Sequence, residues 1–419
     1  MLRTPELTHA PEQATSRFFY GWVIVGFTFV AQFITMGTVF YTFGVLLKPL
    51  TAALGADRFL VSLALSIQTV LIALVGPWVG QLIAERSIRA LMLGGSALMS
   101  LGFLAMSQSQ ALWHLYLSFG VVLAAGMALA GPLPNNTLLA NWFVRRRGTA
   151  FGISQFGITI SGTAMVPLTT WLVLEFGWRS TVALFAIAPL AVLAPLIWWL
   201  VVDRPEARGL SPDGDTPTAP SPDAYAYKPL KMGAALRDRR IWLLTLTVGP
   251  SFMTIGAVIQ AMHSHITDMG MSGMQASSVL VLMTFMGAVA KPLFGILADH
   301  SNPRAAMALS LALQGTGLGL VVQLQSHGGL MLAGFLFGLG YGGVMPLWSV
   351  LLGTLFGRES FARAMGLMGP LTLPFTLVGL PFTTFVFERT GSYRPAFIGL
   401  LAFLSVSVVA LAALRVPRR

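Results

Sequence analysis

Gly76-Pro77-Trp78-Val79-Gly80-Gln81-Leu82-Ile83-Ala84-Glu85-Arg86-Ser87-Ile88-Arg89 is the stretch from which the fold can be read. It ends one apolar run, crosses a short basic loop and enters the next run. Gly80 and Arg89 stand nine residues apart, and Gly295 and Arg304 repeat that spacing later in the chain. Two more landmarks keep the same register: Gly152 matches Gly366, and Trp178-Arg179 matches Tyr393-Arg394, at an offset of about 215 residues. A general membrane bias would scatter glycines through both halves. It would not set basic residues at matched loop positions, so the chain reads as two copies of one unit.

The composition says what each unit is made of. Of the 419 residues, 55% are hydrophobic and 10% charged, with a mean hydropathy of +0.75. A soluble domain carries about 25% charged residues, so most of this surface must face lipid. A helix needs about 20 apolar residues to cross a bilayer. Twelve such runs occur, near 20–46, 60–84, 90–107, 112–141, 149–174, 180–202, 241–266, 275–298, 304–324, 329–356, 362–387 and 393–414. Internal Gly and Pro suit bundled membrane helices, whose neighbours re-satisfy the backbone, and the alternation of barrel strands is missing. The expected fold is all-α: twelve transmembrane helices in two six-helix bundles with pseudo-two-fold symmetry. The first run far exceeds a signal-peptide core of roughly 7–15 residues and reads as an uncleaved helix.

The longest polar stretch, 203–240, is rich in Pro, Asp, Ser and Thr and reads as a linker with a disordered middle. It divides the chain into a tail (1–19), a first bundle (20–202), a second bundle (241–414) and a short tail (415–419). The formal net charge is +11, and its placement matters more than its sum. Twelve crossings put 20 of the 26 Lys and Arg on the face of the linker, 5 on the other face, and Lys291 inside a run. The positive-inside rule makes the linker face cytoplasmic, and both termini with it. The charge is thus explained without nucleic acid. The expected setting is a multi-pass protein of a plasma membrane, the inner membrane of a bacterium, with no obligate protein partner. Cysteine is absent, which excludes disulfides and thiolate metal sites.

On these residues the chain resembles the major facilitator superfamily over essentially its whole length. The segment from Gly76 to Arg89 is similar to that family's loop between helices 2 and 3, with Ala84 where the family has Asp and Ser87 where it has Gly; the second copy keeps its acid, Asp299. The resemblance implies gating roles for Gly76, Gly80, Arg89, Gly295, Asp299 and Arg304. Within the superfamily the chain looks most like the monocarboxylate and oxalate–formate carriers. Tyr20-Gly21-Trp22 opens the first helix as in that group, and Asn141-Trp142-Phe143-Val144-Arg145-Arg146-Arg147-Gly148 resembles its loop between helices 4 and 5. Gly209-Leu210-Ser211-Pro212-Asp213-Gly214 is similar to the central loop of bacterial members, and Ala290-Lys291-Pro292 falls where the group has an arginine before a proline in helix 8. These motifs imply a solute carrier for small organic anions.

Lys291 is the one charged side chain placed well inside a run. It precedes Asp299 by eight residues, about 12 Å along a helix. A charge at that depth costs roughly 2.5–3.5 kcal/mol or more and marks a functional site by default. The bland alternative is a lysine snorkelling to the headgroups. Gly287, Ala288 and Thr284 lie one and two turns away on the same face, which suits a cavity better than lipid. Lysine loses the bidentate fork of the group's arginine, but it can give up its proton, as arginine practically cannot. The resemblance further implies a second cation in helix 11 of oxalate carriers, and the run 362–387 has none after Arg363. A monoanion is therefore favoured over a dianion. Proton-coupled members carry an Asp one turn before the cation, where this chain has Gly287.

Gln32, Asn135, Gln155, His263, Tyr341 and Trp348 are further candidates for the substrate site, each with helix packing as its alternative. His263 is expected to face a cavity and His265 to lie nearer water. The spacing puts Tyr341, Met345 and Trp348 on one face. No phosphate-binding glycine loop ends in Gly-Lys-Ser/Thr, and no cluster has metal-ligand spacing, so neither enzyme chemistry nor a cofactor nor a metal is expected. Repeats of this kind belong to secondary transporters, with substrate held near the midplane between the halves. The reading is a secondary active transporter of a small monocarboxylate by alternating access, with protons as the candidate coupling ion. Multidrug or amphipathic efflux and a transport-like sensor remain as alternatives.

Overall fold

A computed structural model describes residues 18–214, 233 and 236–416. Among these, ten helices are long and apolar enough to cross a membrane, and two of them are each a merged pair. Gly177 (φ 75°) and Gly357 (φ 67°) break these two with left-handed backbone that favours glycine. The twelve resulting helices are α1 Gly21–Leu54, α2 Arg58–Glu85, α3 Ile88–Ser107, α4 Leu112–Trp142, α5 147–176, α6 178–200, α7 Arg239–Asp268, α8 Gly273–His300, α9 Pro303–Gln323, α10 327–356, α11 358–390 and α12 Arg394–Ala413. Among the described residues there is no strand. The chain is all-α, as expected. Several helices outrun the expected apolar segments: α1 continues through Lys48 to Leu54, and α2 starts at Arg58. Hydropathy sees only what lipid requires, whereas the hydrogen-bond ladder continues into polar residues.

Breaks inside helices have local causes. Pro134 has no N–H to give the carbonyl of Ala130. Asn135 supplies the missing donor, its Nδ2 bonding Ala130 O at 3.0 Å and Gly131 O at 2.8 Å. Ends are capped by side chains: Ser272 and Gln275 form a reciprocal capping box at α8. Ser87, where the resemblance led one to look for glycine, caps α3 by accepting from Ala90 N. At α7, burial by itself would raise the Asp238 carboxyl, but hydrogen bonds and charge from Arg240 outweigh it and hold it below the usual carboxylate range.

The two halves meet along two crossings, α5 on α8 and α2 on α11. A Cβ on Gly152 would sit 2.6 Å from the Lys291 carbonyl oxygen, and one on Gly76 would sit 2.8 Å from that of Gly366. Gly295 lies on Gly148 and Gly80 on Ala362 in the same way. These contacts obey the sequence offset. The pair Gly76–Gly366 corresponds to Lys291–Gly152, and Gly80–Ala362 to Gly295–Gly148. Backbones this close maximise dispersion between helices that lipid cannot drive together.

One apolar core spans both halves at the end where the linker segment sits, joining Ile24, Trp142 and Phe151 to Leu244, Phe294 and Phe361. At the opposite end each half keeps its own core, one around Phe43, Phe103 and Phe119 and one around Met262, Phe337 and Phe397. The halves are fused at the linker end and separate at the other.

Candidate functional site

Lys291 lies on α8 where it crosses α5, with 6% of its surface exposed. Its Nζ donates to Gln155 O at 3.3 Å and to Thr159 Oγ1. Both acceptors are neutral and belong to the other half. No carboxylate forms an ion pair with it among the described residues. The ammonium reaches across the interface between halves, not out to headgroups, so the snorkelling alternative does not fit. A buried cation without a counter-ion is costly, and the same place is a favourable one for an incoming anion.

Gln155 and Tyr341 lie beside it, and Trp348 follows further along α10. Gln155 donates from Nε2 to Ser349 Oγ on α10 at 3.4 Å, one residue from Trp348. Tyr341 fills the space a Gly287 side chain would take, one turn before Lys291. Tyr41 of α1 packs over Gly162 of α5, within the first half. Trp348 packs edge-to-face on Phe252, with ring centroids 5.9 Å apart.

Gln32 and Asn135 stand further back. Gln32 bonds Ser154 on α5 through Nε2, and Asn135 mends the α4 backbone. Each is fully buried, and each keeps one side-chain oxygen without a partner among the described residues, Oε1 and Oδ1. The two histidines differ in burial, and His265, expected nearer water, is the buried one. His263 is exposed, while His265 is 7% exposed, with its ring 5.0 Å from that of Phe397 and its Nε2 unpartnered among the described residues. The rotation of α7 decides this, since residues two apart on a helix face different sides.

Of the expected gating residues, Gly80, Arg89, Gly295, Asp299 and Arg304 lie toward the linker end, and Gly76 lies deeper, against Gly366. Asp299 closes α8 and receives Gly148 N, Thr149 N and Thr149 Oγ1 across the interface, each at 2.7 Å. It thus caps the start of α5 from the other half, where free N–H groups and the helix dipole favour an anion. Ala84 has no acid to offer at the matching place. Glu85 stands next to it and reaches Arg363 across the interface at 3.8 Å. The contacts at the linker end are therefore asymmetric. Arg89 donates to Val201 O at the end of α6, and Arg304 donates to Ala412 O at the end of α12, at 2.6 Å. These two arginines pin equivalent helices within each half, not across it.

The segment after α6 is docked. Asp203 receives Ile88 N and Arg89 N at 3.1 and 3.0 Å. Asp213, in left-handed backbone (φ 61°), receives Val144 N, Arg145 N and Arg146 N at 2.9, 2.8 and 3.2 Å. Arg204 pairs with Glu359 at 3.0 Å and Arg358 with Glu206 at 2.5 Å, tying this segment to the second half. The disordered middle expected of the linker lies outside the described residues. Two cavities complete the interface. One of about 380 Å3 lies among these charged groups at the linker end, and one of about 280 Å3 lies between α2, α4 and α11, with Trp348 reaching over from α10.

Two bundles around a central interface, with the closing contacts at one end, define a membrane carrier. Residues 28–287 and 241–419 match the family model of the Major Facilitator Superfamily, and the chain belongs to that superfamily. Curated relatives include monocarboxylate transporter 13 of Bos taurus, 28% identical over 389 residues, covering 92% of this chain and 87% of the relative. Monocarboxylate transporter 2 of Homo sapiens is 25% identical over 395 residues, covering 90% and 81%. In fold the chain is similar to the E. coli fucose:proton symporter, with a TM-score of 0.70 at 12% identity, covering 96% of this chain and 100% of the symporter. It is also similar to the human organic anion transporter MFSD10, with a TM-score of 0.70 at 16% identity, covering 94% and 99%. The chain is a multi-pass membrane transporter and not an enzyme.

Proposed function

We propose that the protein carries a small monocarboxylate across the membrane by alternating access, with a proton moving alongside it. The observation that carries this is Lys291: a buried cation at the interface between halves, held by neutral oxygens. The names of the relatives support an organic anion, and the single cation favours a monoanion. The basic residues favour the linker end as the cytoplasmic end. On that orientation the end where one apolar core joins the halves faces the cytoplasm.

Coupling follows from Lys291 being a cation that can be discharged. Opposite charges within roughly 4–6 Å favour the charged form, so an arriving carboxylate holds the ammonium. Without it, a dry site favours the neutral amine, and the empty carrier returns uncharged. Lys291→Arg tests this in proteoliposomes, because arginine keeps its charge in proteins. The variant is expected to keep carboxylate binding and exchange but to lose uptake driven by a pH gradient. Undiminished pH-driven uptake by the variant would sink the coupling step. Tight carboxylate binding by Lys291→Gln would sink the site itself.

A further inference from the structure

The pseudo-two-fold axis that relates the halves places Gly76 where the second half has Lys291. Each faces the glycine that matches its partner's, Gly366 for one and Gly152 for the other. The two positions therefore lie at the same depth on opposite walls of the interface. They differ in what they hold. One wall carries an ammonium. The other carries no side chain, and the cavity of about 280 Å3 opens there, with Gly76 among its lining residues.

That cavity is a built apolar space. Ile72, Met127, Leu133 and Leu373 line it, with threonines 69, 372 and 376 as its polar groups. Among the described residues no lysine, arginine, aspartate or glutamate borders it. Trp348 reaches into it from α10, on the helix face that also carries Tyr341. The seven residues from Tyr341 to Trp348 span about 10 Å along the helix. Tyr341 rests on Gly287, one turn from Lys291. One face of α10 thus runs from the cation to the apolar space.

We propose that the substrate is an amphipathic carboxylate. Its headgroup meets Lys291, and an apolar tail of roughly benzene size or larger fills the cavity beside Gly76. This deepens the carrier reading and rests on it. The volume decides the size: a cavity of about 150 Å3 accepts benzene, so the methyl of a two- or three-carbon acid leaves this one largely empty. Apolar lining gives such a tail its binding energy, and an uncharged lining disfavours a second carboxylate.

The test uses the full chain in proteoliposomes. Competition against a labelled carboxylate is measured for acetate, butyrate, hexanoate, 3-phenylpropionate and the dicarboxylate adipate. Affinity is expected to rise roughly threefold to fourfold per methylene until the cavity is full, with 3-phenylpropionate strong and adipate weak. Thr372→Phe fills the space from α11 and is expected to flatten the series, so that hexanoate and 3-phenylpropionate compete no better than butyrate. A flat series for the unaltered protein, or a steep one that survives Thr372→Phe, overturns the tail site. Those outcomes leave Lys291 untouched. Loss of all carboxylate competition, or competition that ignores Lys291→Gln, instead overturns the carrier reading beneath it.

Discussion

Asp299 shows how much a single residue can decide. Its carboxylate takes two backbone N–H groups and a hydroxyl from the other half, each at 2.7 Å. Hydrogen bonds to a charged group are worth about 1.5–3 kcal/mol each. Asp299→Asn keeps the shape but loses the charge and half of the acceptor capacity. The variant is expected to weaken closure of the linker end by about 2 kcal/mol, a shift of roughly thirtyfold in the conformational equilibrium. The chain has no cysteine, so Arg86→Cys and His300→Cys add a clean pair of spin-label sites, one per half. A longer distance population in Asp299→Asn checks the expectation, and an unchanged distribution refutes it. The sequence pointed to Asp299 through its motif. It carried no sign that the acid would cap α5, because the two are 150 residues apart and meet only when the halves dock. The histidines make the same point in reverse, since neither composition nor spacing states which way α7 is turned.

At the scale of elements, the halves meet where α5 crosses α8 and α2 crosses α11. Their spacing is set by glycine, and a side chain at position 152 would bring its Cβ to 2.6 Å from the Lys291 carbonyl oxygen. Both atoms at that contact belong to backbone or to the first side-chain carbon, so no flexible tip can swing away. Gly152→Ala is expected to hold α5 and α8 apart and to favour the form open at the linker end. The readout is faster alkylation of a single cysteine placed at Ala298, which is fully buried against Gly148, relative to the same cysteine with Gly152 intact. Equal rates would show that the crossing relaxes without opening. The matched glycines were visible in the sequence as a repeat. Their meaning as contacts was not, since a repeat gives equivalence between positions and says nothing of what each one touches.

At the scale of the whole molecule, two kinds of contact hold the linker end shut. Arg204–Glu359 and Arg358–Glu206 are partly exposed, with side-chain exposures between 28% and 48%. Such pairs contribute about 0–1 kcal/mol and are screened by salt. The shared apolar core carries no charge for salt to screen, and the Asp299 cap is made of short, partly buried hydrogen bonds. Glu206→Gln with Glu359→Gln is therefore expected to change spin-label distances slightly at low salt and not at all at about 0.5 M salt, beyond the screening length. The Asp299→Asn shift is expected to persist at both. A large, salt-independent effect of the double variant would mean that the docked segment, rather than the core, is the lock.

The sequence by itself determined the crossings, the division into two related units and the one deep cation. Each follows from a local requirement: a bilayer demands about 20 apolar residues per helix, a repeat writes its own register, and a charge stands out in an apolar run. The rotation of each helix and the pairing of the halves were decided only by tertiary structure. Lys291 could be found by reading along the chain, but its neutral partners, Gln155 and Thr159, come from the other half. The apolar space opposite it exists because Gly76 faces Gly366 across an interface. Such features depend on distances between segments well over a hundred residues apart, and a linear pattern carries no distance between them.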